Sequence, residues 1–242
     1  MIIEKRKLFF SSARIILDDA ALRSAISSKK YSYVTGISHH RVDIPGVRVA
    51  VKRKKTICVN IHRPMEAIFA DFTASARNEV RHTWSDPKFT VADDDKNYDA
   101  IYRLYMDFEQ AQGRKPFDRS IFLGCKAFSA YYDGELVSGV ICYDSPPYLR
   151  SRANFSKRLS VADGEFLRIV SRASKRVMYE ICSYGAAHGY TFFDHGSVNV
   201  DDPGKAGIRE FKSSFGGEMV DEYTYTCKSP LFRLVSKFMK FS

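Results

Sequence analysis

The longest helical pattern in the chain, over residues 165–188, constrains the fold more than any other feature of the sequence. Its apolar residues recur three or four positions apart, which places them on one face of an amphipathic helix. Gly189 follows at a position where helices commonly end. The apolar run over residues 190–194 then predicts a short buried strand. A long helix next to strands predicts an α/β fold with a mixed α+β sheet.

The clearest hairpin signal lies upstream of this helix. Two runs of strand-like composition, residues 127–132 and 136–143, flank the turn dipeptide Asp133-Gly134. The other predicted elements are a helix from residue 64, a short strand over 88–92, a helix that starts near Asp95 or Asn97 and ends at Gly113, a strand over 148–159, a loop after Asp194, a short helix over 208–214 and a strand over 219–227.

The first sixty residues alternate between apolar and basic positions. Residues 47–52 and 56–61 predict an antiparallel pair that turns at residues 53–55. The sequence therefore divides into a β-rich N-terminal extension (1–63), a main domain (64–228) and an amphipathic C-terminal helix (229–242). On a helical wheel that tail places Leu231, Leu234 and Val235 on one side and basic residues on the other. It packs either on its own domain or on an anionic membrane surface.

Composition narrows the class of protein. Apolar residues make up 45% of the chain, which is enough for a substantial core and argues against disorder. The five cysteines are scattered without CxxC spacing, so neither a disulfide framework nor a metal site is predicted. The longest apolar stretches are too short to cross a bilayer. We therefore expect a cytoplasmic protein, with peripheral contact at the inner membrane face as an option. The net charge of +10 favours polyanions or anionic surfaces as partners, or serves solubility.

Three phrases in order carry a family resemblance: FTASARNEVR at residues 72–81, AAHGYTFFDHGSVN at 186–199 and GIREFKSSFGGE at 207–218. They resemble segments of Fem-type aminoacyltransferases and their polysaccharide-cluster relatives, which have the GNAT-like acyltransferase fold. The resemblance covers most of the chain after residue 64. It implies N-acyl transfer to an amine on a small-molecule or lipid-linked precursor of the cell envelope or of a polysaccharide.

The expected activated donor is acyl-CoA, as the GNAT resemblance implies. The alternative is aminoacyl-tRNA, which Fem-type bridge-forming enzymes use and which makes tRNA a possible partner. Enzymes that bind acetyl-CoA in the ordinary way carry a glycine-rich loop before the long helix, where backbone N–H groups hold the pyrophosphate. Residues 157–165 contain a single glycine with Asp163 and Glu165 around it, which would repel phosphate. A third alternative is a GNAT-like binding module without catalysis.

Candidate catalytic residues follow the predicted strand over residues 190–194. Asp194 and His195 begin the predicted loop and Asn199 ends it. His195 has a reference pKa that suits a general base near neutral pH. The alternative is that Asp194 and His195 only fix the geometry of the loop.

The remaining candidates are donors and cations that would bind substrate or phosphate. Arg77 and Arg81 lie one helical turn apart, with Asn78 beside them, and can reach one anion; a solvated helix face is the alternative. Arg209 and Lys212 on the short helix are candidates for phosphate or carboxylate contact. Tyr223, on the last strand, is a candidate acid for the leaving group, against core packing as the alternative.

Overall fold

The computed structural model describes residues 1–7 and 9–238. Over these residues the elements, in chain order, are β1 (Ile2–Lys7), β2 (Phe10–Ile16), α1 (Asp19–Ser27), β3 (Tyr33–Ser38), β4 (Ala50–Asn60), α2 (Met65–Ala70), α3 (Ala74–Ser85), β5 (Phe89–Ala92), α4 (Tyr98–Ala111), β6 (Cys125–Tyr132), β7 (Glu135–Ser145), β8 (Tyr148–Ser156), α5 (Gly164–Ala187), β9 (Phe192–Val198), α6 (Ala206–Ser213), β10 (Glu218–Lys228) and α7 (Pro230–Phe238). The chain forms two compact units: residues 1–56, 197–201 and those from 219 on, and residues 57–196 with 202–218.

In the first unit the strands follow the order β1, β2, β3, β10. β1 and β2 pair antiparallel, β2 and β3 parallel, and β3 and β10 antiparallel. Helix α1 covers this sheet through Leu22, Ala25 and Ile26, which belong to the core of the unit. The sequence analysis did not predict α1. Its start is fixed by Asp18, whose carboxylate accepts a hydrogen bond from the Ala21 N–H at 2.9 Å.

The predicted turn at residues 53–55 was wrong, because β4 runs without interruption from Ala50 to Asn60. Arg53 and Lys55 lie two positions apart and therefore point to the same side of the strand. Both form ion pairs with Asp221 of β10, at 2.8 Å each, and these pairs hold the pKa of Asp221 at about 2. The alternation of basic and apolar residues on both sides of position 54 belongs to one long strand.

In the second unit the strands follow the order β5, β6, β7, β8, β9. The first four pair antiparallel, and β8 and β9 pair parallel across the crossover helix α5. The predicted hairpin is confirmed as β6 and β7. Its turn residues Asp133 and Gly134 have φ angles of 52° and 78°, as a two-residue hairpin turn requires. Each unit thus has a mixed sheet with helices packed on it, which confirms the predicted α/β class.

Helix α5 supplies the main apolar face of the second unit. Val170, Ala173, Val177 and Ile181 are buried in one cluster with residues of the sheet, as the periodicity of the sequence predicts. The helix ends just before Gly189, whose φ of +76° is in the left-handed region that glycine tolerates. α5 therefore fixes where β9 begins, and β9 carries most of the candidate site.

The helix predicted from residue 64 is two helices, α2 and α3. The break falls before Thr73, whose hydroxyl accepts a hydrogen bond from the Ala76 N–H at 3.3 Å and caps α3. At the other end of the chain α7 forms as expected over Pro230–Phe238, while the last residues of the predicted tail helix lie outside the described residues. None of the helices, over the part of the chain that the structure describes, combines the length and hydropathy needed to cross a bilayer.

Candidate functional site

Strands β8 and β9 pair in parallel over only a few residues. Their register runs from Tyr148–Phe192 to Arg150–Asp194, and the strands extend beyond it to residues 156 and 198. The backbone of β9 is irregular just beyond the last pair: the φ of Gly196 is +76°, and its N–H donates to the Asp194 carboxylate at 2.8 Å. The segment predicted as a loop after Asp194 is therefore an irregular continuation of β9, not a loop.

β8 has an irregularity at the same level. Its register with β7 shifts between Ile141 and Cys142, because these residues pair with Ala153 and Ser151 and leave Arg152 between them. The Arg152 guanidinium donates to the Ile121 carbonyl at 2.7 Å and lies 4.9 Å from the ring centre of Tyr143. Bulges and interrupted ladders are over-represented beside active sites. The end of the β8–β9 pairing is thus the first place to look for chemistry in this unit.

A buried ion pair fixes this point of the sheet. Arg150 donates to the Asp194 carboxylate, and the two residues are 3% and 0% exposed. The second carboxylate oxygen of Asp194 accepts from Gly196. Asp194 was a predicted catalytic residue. It is fully buried, and its contacts with Arg150 and Gly196 fix the backbone of β9 at this point; its catalytic role stays a prediction.

Lys212 brings a second positive charge to the same backbone. It lies on α6, is 8% exposed, and its ammonium donates to the Gly196 carbonyl at 2.9 Å. A buried ammonium is costly unless it is hydrogen-bonded. Lys212, one of the predicted binding residues, is therefore a fixed cation at the break in β9.

His195 lies in the interior next to this cation. It is 1% exposed, its ring centre lies 4.3 Å from that of Phe193 and 5.6 Å from that of Phe215, and neither ring nitrogen has a hydrogen-bond partner. Burial, with the positive charge of Lys212 as a second cause, lowers the pKa of His195 to about 3. The imidazole is neutral at physiological pH, but it lies in an aromatic environment away from solvent.

This burial predicts a specific dependence of stability on pH. The pKa of His195 is about 3 in the folded protein and near 6.5 when unfolded, so the unfolded state binds the extra proton between these values. The stabilising contribution is complete above pH 6.5 and decreases as the pH falls. We expect His195 to reduce the free energy of unfolding by about 1.4 kcal/mol per pH unit from about pH 6 to 4.

Urea unfolding of the wild type and of His195→Leu at several pH values measures this contribution. The leucine variant should show a shallower loss of stability on acidification, whatever its stability at pH 7. Equal slopes for both proteins would mean that His195 is not held neutral by its surroundings.

The predicted anion ligands on α3 have separate contacts. The Arg77 guanidinium donates to the carbonyls of Ala70 and Phe72, so it caps the end of α2. The Arg81 guanidinium lies 5.5 Å from the ring centre of Phe69, and the neighbouring Asn78 is exposed. Binding of one anion by Arg77 and Arg81 stays a prediction, and Arg77 would have to leave two carbonyls to take part.

Three other predicted residues occupy different elements. Tyr223 lies on β10 and packs, half-buried, on the core of the first unit. The Asn199 side chain accepts a hydrogen bond from the Asp201 N–H at 3.2 Å and stabilises a turn. Arg209 is half-buried on α6, one turn before Lys212. Of the predicted residues in the second unit, the structure brings together Asp194, His195 and Lys212.

Comparison with solved structures finds the same architecture elsewhere. The structure of FemX matches with a TM-score of 0.65 at 14% identity, over 97% of this chain and 86% of that chain. The C-terminal domain of a protein assigned as a lysylphosphatidylglycerol synthetase, from Agrobacterium fabrum, matches with 0.55 at 10% identity, over 98% and 83%. L-PGS from Bacillus licheniformis matches with 0.54 at 14% identity, over 98% and 84%. The chain has a GNAT-like, Fem-type fold.

No protein-family model matches the sequence, and no curated protein matches it either. At 10–14% identity these similarities establish the fold. They confirm the resemblance that the three sequence phrases indicated.

The GNAT-like fold makes the start of α5 the place to test for CoA. In ordinary acetyl-CoA enzymes of this fold, the N–H groups at this helix start hold the pyrophosphate. Here the Asp163 carboxylate accepts from the N–H groups of Glu165 and Phe166, at 3.3 and 3.0 Å. A carboxylate already occupies the donors that a pyrophosphate would need, and it repels phosphate. The residues at the start of α5 do not fit CoA in this binding mode.

Sequence reasoning missed two residues of the site. Arg150 lies in the strand predicted over residues 148–159 and Gly196 in the loop predicted after Asp194, and neither was a candidate site residue. The available signal was an arginine between Leu149 and Ser151 in a predicted strand, since a buried cation needs an acidic partner. The Asp-His-Gly sequence at residues 194–196 supplies that acid, but the pairing depends on two strands that meet only across α5.

Proposed function

We propose that this chain transfers an acyl or aminoacyl group from an activated ester or thioester to an amine. The observation that carries the proposal is the buried ammonium of Lys212, bonded to the Gly196 carbonyl where β9 departs from regular pairing. The similarity of the fold to FemX and to lysylphosphatidylglycerol synthetases supports it.

Acyl transfer needs a group that stabilises an oxyanion, and the buried ammonium of Lys212 can act as one. The amine nitrogen of the acceptor bonds to the carbonyl carbon of the donor, and negative charge develops on the carbonyl oxygen. A preorganised positive charge in a water-poor site stabilises that oxyanion, and we assign this role to Lys212. The bond from carbon to the ester oxygen or thioester sulfur then breaks, and the proton lost by the amine ends on that leaving atom.

The Arg150–Asp194 pair has a positioning role in this proposal. Asp194 holds the N–H of Gly196, and Lys212 holds the carbonyl of the same residue. Both the N–H and the carbonyl of Gly196 are therefore held, and the bond to this carbonyl fixes the position of the Lys212 ammonium. We do not assign the proton transfer to His195, because its ring is 1% exposed.

An aminoacyl-tRNA is the donor that we favour over acyl-CoA. Asp163 caps the helix start that would hold a CoA pyrophosphate, and the net charge of +10 favours a polyanionic donor. The acceptor that we propose is an amine on a cell-envelope precursor, as the resemblance to Fem-type enzymes implies.

Transfer assays with purified protein test the proposal. Radiolabelled aminoacyl-tRNAs and acyl-CoAs are each offered with nucleotide-linked and lipid-linked amine precursors. We expect label to pass to an amine acceptor from aminoacyl-tRNA, and ribonuclease to abolish the transfer. Transfer from acyl-CoA that is insensitive to ribonuclease would support the acyltransferase activity but overturn aminoacyl-tRNA as the donor. Absence of transfer from every donor, with salt-sensitive binding of nucleic acid, would instead indicate a binding module without catalysis.

A further inference from the structure

Helix α7 packs on its own unit through Phe232 and leaves two leucines exposed. Phe232 is 8% exposed, and its ring centre lies 5.3 Å from that of Tyr33 and 5.2 Å from that of Phe10. Leu231 and Leu234 are 63% and 59% exposed. Residues three apart on a helix are neighbours, so the two leucines form one outward apolar surface.

The tip of the β1–β2 hairpin adds a large apolar side chain at the same end of the first unit. Phe9 is 92% exposed and precedes Phe10, whose ring contacts Phe232 of α7. The strand registers agree with this placement. Ser12 of β2 pairs with Tyr33 of β3, and Tyr33 pairs with Lys228, two residues before α7 begins.

The charge at this end of the unit is strongly positive. Among residues 4–6, 28–33 and 228–235 the only acidic residue is Glu4, which pairs with Lys30. The basic residues of these three segments are Lys5, Arg6, Lys29, Lys30, Lys228 and Arg233. Exposed apolar side chains within a cationic surround are typical of surfaces that bind anionic lipid.

We propose that Phe9, Leu231 and Leu234 form a docking surface for an anionic lipid bilayer, with the basic residues around them in contact with the headgroups. The charge selects this occupant, because a second copy of the chain would bring the same cations against each other. The inference does not depend on the proposed catalytic activity. It gives the first unit a function of its own: to hold the protein at a membrane surface.

Vesicle co-sedimentation of the full chain tests this docking surface. We expect binding to vesicles that contain phosphatidylglycerol, little binding to phosphatidylcholine alone, and a decrease in binding as salt is raised. The double variant Leu231→Ser, Leu234→Ser should bind at least about tenfold more weakly, because two exposed leucines no longer enter the interface.

A matched control changes two leucines of similar exposure outside this surface. Leu123→Ser, Leu159→Ser, at positions 48% and 49% exposed, should bind vesicles like the wild type. An equal loss in both double variants would overturn the proposal. So would a wild-type dimer in analytical ultracentrifugation that only the α7 variant dissolves, since a second copy would then cover the surface.

Discussion

Replacement of Lys212 by methionine should lower the turnover number of the proposed transfer by about 10²- to 10³-fold, the range for loss of one oxyanion-stabilising group. Methionine retains much of the apolar stem of lysine, so the packing around position 212 should change little. The change removes the ammonium that bonds to the Gly196 carbonyl. The loss should appear mainly in kcat, because the charge on the oxyanion develops in the transition state.

The control for this variant is Lys205→Met. Lys205 lies seven positions earlier, is exposed and pairs with Asp202 at 3.3 Å, so its loss should leave turnover within about twofold. Lys212→Arg keeps the charge and should recover part of the activity. A Lys212→Met enzyme that is folded, as judged by circular dichroism and urea unfolding, and still turns over at the wild-type rate would remove Lys212 from the mechanism.

Loss of Arg150 should have the largest effect on stability. Arg150→Met removes a buried guanidinium that pairs with the fully buried carboxylate of Asp194, and a broken buried pair costs about 3–5 kcal/mol. We expect the free energy of unfolding, measured in urea at pH 7, to fall by that amount. Transferase activity should also fall, because the backbone at Gly196 is then less firmly fixed.

A second variant separates the unpaired charge from a packing defect. Asp194→Asn in the Arg150→Met background removes the charge and keeps an oxygen that can accept from the Gly196 N–H. The double variant should be more stable than Arg150→Met alone. If both proteins lose the same stability, the cost comes from lost packing of the arginine stem and the ion pair contributes little.

The elements that local chemistry determines were predictable from the sequence. The turn at Asp133 and Gly134, the apolar face of α5 and the end of that helix before Gly189 all depend on residues close in the chain. Features that depend on distant partners were not. Residues 53–55 continue as strand, and Arg53 and Lys55 pair there with Asp221, which lies in the last strand of the chain.

The candidate site also has features that the sequence predicts and features that it does not. Asp194, His195 and Lys212 were predicted as site residues from their positions after a strand and on a short helix. Their burial was not predictable, and burial changes what each can do. A base at His195 was inferred from its reference pKa, but enclosure by Phe193 and Phe215 lowers that pKa to about 3. Asp194 pairs with Arg150, which lies 44 positions away in the sequence.

Two outer strands of the sheets have features that oppose association between molecules. An outer strand presents unpaired backbone groups that another chain can extend. One outer strand of the first unit is β1, which carries the exposed charged residues Glu4, Lys5 and Arg6. One outer strand of the second unit is β5, which is four residues long. Exposed charged side chains on one edge and the brevity of the strand on the other discourage strand-to-strand association between molecules.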